Sequence, residues 1–183
     1  MRFIGIDPGV EPGICVVDEE GNILQNVLIK RGNFKKDSAG FNYVGVKDFF
    51  SQLKEDERYV AYIEDVHSVY NSSAKANFNF GGSRFALEMC CVDWDIPVVS
   101  IQPKMWQKYM WKTQDIQPNK NGKKGKDTKM TSYNCAKRLL GEGWKDELFL
   151  PTKRSKVVNH NMVDAYLLAI CALGMTTDSK IKQ

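Results

Sequence analysis

Histidine is scarce in this chain, with two copies in 183 residues, and none of the five cysteines forms a C-x-x-C pair. A zinc site built from nitrogen and sulfur ligands is therefore not expected. Cys15, Cys90, Cys91, Cys135 and Cys171 are odd in number and mostly sit among apolar residues. They read as reduced core residues of a cytoplasmic protein rather than as a disulfide framework. No apolar run approaches the ~20 residues that a membrane-spanning helix needs, so no segment is expected in a membrane. No charged, apolar, small-residue leader opens the chain, and no internal repeat is visible. What remains is an ordinary globular composition, 43% hydrophobic and 26% charged. It suits a single domain with a sizeable core, expected over residues 1–176, with a frayed tail at 177–183. The net charge of +4 permits a polyanionic partner without demanding one.

The apolar pattern predicts strands over residues 2–7, 14–17 and 23–30, joined by turn chemistry at Pro12-Gly13 and Asp18-Glu19-Glu20-Gly21-Asn22. Short turns make these three an antiparallel meander. A helix is expected at 42–55, where Val46, Phe49, Phe50 and Leu53 fall at helical spacing, and a strand follows that ends at Glu64. Phe78, Gly82, Phe85, Met89 and Val92 form a second helical seam. A strand at 97–101, a short helix at 104–111 and helices at 129–140 and 158–174 complete the order. Strand–helix–strand crossovers make the strands ending at Asp7, Glu64 and Ile101 parallel. The expectation is an α/β fold: a five-stranded mixed sheet, meander plus parallel strands, flanked by helices. Residues 112–129 carry six lysines, with Pro118, Gly122 and Gly125, and read as a mobile basic loop.

Against that background four positions stand out. Asp7 ends the apolar run Arg2–Ile6, Glu64 ends Tyr59–Ile63, and Asn161 and Asp164 open the last apolar helix, with His160 beside them. Carboxylates in apolar segments are costly unless paired or bound to a cation. Asp7 and Glu64 both fall at the C-terminal ends of parallel strands, where sites on such sheets gather. His160, Asn161 and Asp164 share one helix face, being four and three residues apart. Each alone has an ordinary reading: a turn residue before Pro8-Gly9, a charged strand end, an acid near a helix start. Together they describe one oxygen-rich site, Asp7, Glu64, Asn161 and Asp164, suited to Mg²⁺ or Mn²⁺. Two such ions ~3.5–4 Å apart clamp the attacking and leaving oxygens of a phosphodiester in the general two-metal arrangement.

The stretch Ile4-Gly5-Ile6-Asp7-Pro8-Gly9, the acid Glu64 after an apolar strand, and the terminal His160-Asn161-x-x-Asp164-Ala165 resemble RuvC-type Holliday junction resolvases, the phage-encoded branch in particular, within the RNase H/integrase-like superfamily. The resemblance runs from Arg2 to about Leu173. It implies a homodimeric, Mg²⁺-dependent endonuclease that nicks four-way junctions and other branched DNA such as forks and flaps. Asp7, Glu64 and Asp164 match the family's catalytic acids. Asn161 falls where bacterial members usually carry another acid, and His160 can stand in as ligand or proton carrier. The family's DNA-stacking aromatic, three residues after the strand acid, is here His67, with Tyr70 close by. Lys129 opens the helix where the family has a lysine near the scissile phosphate, and Lys108 is a looser match.

The basic loop, with Lys120, Lys123, Lys124 and Lys126, fits sequence-independent phosphate contact. Gly81 and Gly82 on the second helical seam suggest close helix approach, and a dimer interface along that seam. Two rival readings stay open: an RNase H-type nuclease on RNA–DNA hybrids, and a branched-DNA-binding protein with little or no cleavage, which the amide at Asn161 motivates. A third takes Asp7-Pro8-Gly9 as the phosphate loop of an actin-like kinase. It lacks the two related halves that such a fold needs.

Overall fold

The computed structural model describes residues 1–32, 40–65, 73–119 and 125–181. The sheet is built around β1 (Arg2–Asp7), which pairs antiparallel with β2 (Gly13–Val17) and parallel with β4 (Tyr59–Glu64). β3 (Ile23–Leu28) and β5 (Val98–Ile101) form the edges, giving the order β3-β2-β1-β4-β5. This is the expected meander plus parallel strands. The β2–β3 turn is set by Asp18, whose Oδ1 accepts the N–H groups of Glu20 at 3.1 Å and Asn22 at 2.8 Å.

Five α-helices lie among the described residues: α1 (Tyr43–Phe50), α2 (Ala74–Asp93), α3 (Pro103–Met110), α4 (Thr128–Leu140) and α5 (His160–Ile181). Side-chain caps start four of them. Asn42, Ser73, Asp127 and Asn159 accept the backbone N–H of Gly45, Ala76, Met130 and Met162. Pro103 opens α3, where its missing N–H costs nothing.

Alternation along the strands sends side chains to two cores. Ile4, Ile6, Ile14, Val16, Ala61 and Ile63 meet Val46, Phe49 and Phe50 of α1 and Leu87 and Cys91 of α2. On the opposite face Phe3, Cys15, Val17 and Tyr62 meet Trp106 of α3, Cys135 of α4 and the buried length of α5. Leu167 and Leu168 are fully buried there, each contributing about 2 kcal/mol. Two glycines let α5 lie directly on the sheet. A Cβ at Gly5 would stand 2.0 Å from the carbonyl oxygen of Ala165, and one at Gly13 would stand 2.2 Å from that of Asn161.

One expectation is corrected and two are narrowed. The last helix does not end at 174 but continues to Ile181. Thr177 satisfies local carbonyls by donating to those of Leu173 and Gly174, and Tyr109 of α3 donates to Asp178 at 2.9 Å. The basic stretch is tethered at both described ends. Thr113–Asp115 form a 3-10 turn, Pro118 bridges to Lys126, and buried Asp115 takes a 2.8 Å ion pair from Arg138 of α4. Among the described residues nothing stands within 4 Å of a Cβ placed on Gly81 or Gly82, so no helix of the described chain approaches them that closely.

Candidate active site

Residues two apart on a strand share a face, so Asp7 follows Phe3 and Gly5 onto the α5 side, and Glu64 follows Tyr62. The last β1–β4 pair is Ile6 with Ile63, so Asp7 and Glu64 end neighbouring strands side by side. Neighbouring Asp65 is turned to other work. Its carboxylate pairs with Arg84 of α2, which also reaches Glu88 and Ser100, and its N–H donates to Ile101 at 2.8 Å. Asp164 lies one turn into α5, next to Ala165, the residue whose carbonyl touches Gly5. The missing side chain at Gly5 is thus what brings Asp164 over the end of β1.

Each carboxyl group is largely desolvated, and all three affinities for protons rise. Burial pushes Asp7 well above the usual carboxylate range, with the charges of Asp164 and Glu64 adding to it. Burial raises Asp164 to about 7, Glu64 adding to the rise while a hydrogen bond from Ser132 and the charge of Lys129 oppose it. Burial also raises Glu64, against the opposing hydrogen bond from Trp106. Oδ1 of Asp164 is buried without a hydrogen-bond partner, and so is Nδ1 of His160 one turn earlier. The pKa of His160 is lowered first by burial and then by the charge of Lys129, against the opposing charge of Asp127.

Asn161 is engaged: its Nδ2 donates to the carbonyl of Glu11 at 3.0 Å, tying the start of α5 to the β1–β2 turn. Lys129 is exposed in the first turn of α4, close enough for its charge to act on both His160 and Asp164. Lys108 is exposed on α3, about 200° round the helix from Trp106 and hence away from Glu64. Lys126 stacks over Trp111, with Nζ 4.4 Å from the ring centroid. His67, Tyr70, Lys120, Lys123 and Lys124 lie outside the described residues.

The structure adds a residue that the spacing did not single out. Trp106, 1% exposed, donates its indole N–H to Oε1 of Glu64 at 2.8 Å. Its place in a short amphipathic helix says only that it is buried, not what its polar atom meets.

Among the described residues no group of three or more His, Cys, Asp or Glu is closed tightly enough to hold a metal ion as it stands. The donors nevertheless suit a hard cation. They are all-oxygen, they repel one another, and a buried carboxylate oxygen has no protein partner. Asp7, Glu64 and Asp164 are the residues that would hold it.

A five-stranded mixed sheet of this order, with helices on both faces and acids at the ends of β1 and β4 and on α5, is an RNase H-like fold. Two solved structures share it at nearly full length. One is Thermus thermophilus RuvC in complex with a Holliday junction substrate, 15% identical, with a TM-score of 0.64 over 97% of this chain and 96% of that one. The other is a Thermus thermophilus RuvC structure, 18% identical, with a TM-score of 0.61 over 97% of both chains. No protein-family model matches the chain, and no curated protein sequence matches it. The chain therefore shares its fold with RuvC.

Proposed function

We propose that this chain is a metal-dependent, structure-selective endonuclease that nicks four-way DNA junctions, working as a homodimer in the cytoplasm. The observation that carries the reading is the trio Asp7, Glu64 and Asp164, desolvated and mutually repelling at one end of a sheet with the RuvC fold. The solved relative was captured with a Holliday junction substrate. Asp7, Glu64 and Asp164, with the side-chain oxygen of Asn161, would hold divalent ions, Mg²⁺ or Mn²⁺ and two per site, which would supply Lewis acidity and acidify water when bound. Water attacks the phosphorus in line and the 3′-oxygen leaves, giving a 5′-phosphate. Lys129 offsets charge on the scissile phosphate. Neutral His160 accepts or returns a proton near Asp164. Lys126 and the adjoining lysines follow the DNA backbone without reading bases. No helix among the described residues is long and apolar enough to cross a membrane, and the cysteines are free thiols, which suits a reducing compartment.

Support for the dimer comes from α2. Phe78, Phe85 and Val92 are 81%, 63% and 59% exposed on it, an apolar stripe of the kind that marks a partner surface. It continues into a groove against α1 lined by Phe41, Tyr43 and Met89. An isologous contact there would present two sites to two strands of a junction.

The test is cleavage of an end-labelled synthetic four-way junction beside its matched linear duplex and an RNA–DNA hybrid, in Mg²⁺, Mn²⁺ and EDTA. Metal-dependent nicks near the branch, lost in Asp7→Asn and missing from the duplex and the hybrid, are expected. The neutral amide at Asn161, where an acid would complete four, motivates one second reading, a branch-binding protein, because it leaves three carboxylates. Tight junction binding without cleavage in either metal would establish that reading instead.

A further inference from the structure

The contact between Trp106 and Glu64 has a consequence for how the ion is received. An indole N–H donates and never accepts, so it is a one-way clamp on an anionic oxygen. The clamp is rigid. Trp106 is enclosed in the core beneath α5, and its ring meets Trp111 edge-on, centroids 5.9 Å apart at 78°. Trp111 is in turn covered by Lys126. The backbone route is equally short. β5 is hydrogen-bonded to β4, with Ile101 opposite Glu64, and α3 begins two residues after Ile101. Trp106 and Glu64 are thus carried by one edge of the sheet.

Among the three acids Glu64 has the longest side chain, with one more torsion to immobilise than Asp7 or Asp164. A cation arriving at a freely rotating glutamate must order it. A cation arriving at this one meets a carboxylate already held by its other oxygen.

We propose that Trp106 is a positioning residue for the metal site: by pinning Oε1 of Glu64 it aims Oε2 at the cation shared with Asp7 and Asp164. This rests on the metal-dependent reading above. Outer-shell hydrogen bonds of this type are worth roughly 10–100-fold in metal affinity, and a neutral donor belongs at the lower end.

The experiment is a Mn²⁺ titration of the metal-free full-length chain, free Mn²⁺ being read by its EPR signal. It compares wild type, Asp7→Asn, Trp106→Phe and a chain carrying 3-benzothienylalanine at position 106. The last keeps the bicyclic shape and replaces only the N–H by sulfur, so it decides the matter if Trp106→Phe does not fold. Both changes at 106 are expected to weaken Mn²⁺ binding about tenfold, with the metal-free benzothienyl chain still unfolding as a folded protein does. Affinity within twofold of wild type in the benzothienyl chain, while Asp7→Asn loses binding, overturns the role of Trp106 and leaves the metal site standing. Equal binding by wild type and Asp7→Asn overturns both.

Discussion

Removing the proton from Asp164 should destabilise the metal-free protein, and the size of the effect follows from its surroundings. In the unfolded chain this carboxyl ionises near 3.8, and in the folded chain near 7. Between those values the unfolded state sheds a proton that the folded state keeps. The stability tied to that proton is therefore whole below pH 3.8 and is lost as pH rises through 7. From pH 5 to pH 8 about two pKa units of that window remain, or about 3 kcal/mol at about 1.4 kcal/mol each. For a domain of this size that is a fall in Tm of roughly 6–12 °C. Asp7 and Glu64 shift in the same direction and add to the fall. His160, whose pKa is lowered, works the opposite way below its ordinary value, so the comparison must be made against Asp164→Asn, which keeps His160. The assay is thermal unfolding in EDTA at pH 5 and pH 8, for both chains. Wild type should lose more than Asp164→Asn on going to pH 8, and Mg²⁺ should restore it by taking the place of the proton. Equal pH slopes in the two chains would refute the account of a strained, desolvated carboxyl.

Two further predictions concern architecture. Gly5→Ala would set a methyl group 2.0 Å from a carbonyl oxygen and 2.3 Å from the backbone nitrogen of Ala169. Main chain cannot rotate aside, so the cost should reach or exceed the upper end of ordinary overpacking, about 3 kcal/mol, with cleavage lost. An unchanged urea midpoint would contradict it. Phe85→Asp on the α2 stripe should turn a sedimenting dimer into a monomer and leave Mn²⁺ binding per chain intact, because α2 packs on the other face of the sheet from α5. A persistent dimer would move the interface elsewhere.

The element order and the three carboxylates were legible because their signals are local. Asp7 and Glu64 interrupt apolar runs where strands end, and Asp164 directly precedes the run Ala165–Met175, which is apolar on every face. What escaped the sequence depends on partners far along the chain. Nothing in the basic stretch singles out Asp115, which is buried and paired with Arg138, 23 residues on. Asn161 reads as a ligand through its oxygen, and the sequence does not show that its amide nitrogen is anchored to a carbonyl 150 residues away. Trp106 reads as core, and its polar atom finds Glu64 across 42 residues. The extension of α5 to Ile181 was hidden by polar residues, Thr177 and Asp178, which make hydrogen bonds within the last turns and to α3.

The bare backbone contacts at Gly5 and Gly13 set a limit on how this site can drift. Where side chains separate a helix from a sheet, successive core substitutions can lengthen or shorten the gap by fractions of an ångström, and any groups mounted across it move too. At Gly5 and Gly13 no side chain stands between the sheet and the backbone of α5. The span from Asp7 to Asp164 is therefore gauged by main-chain atoms in contact. Changes elsewhere in either core can weaken the protein without altering that gauge, so stability and metal spacing are free to vary separately.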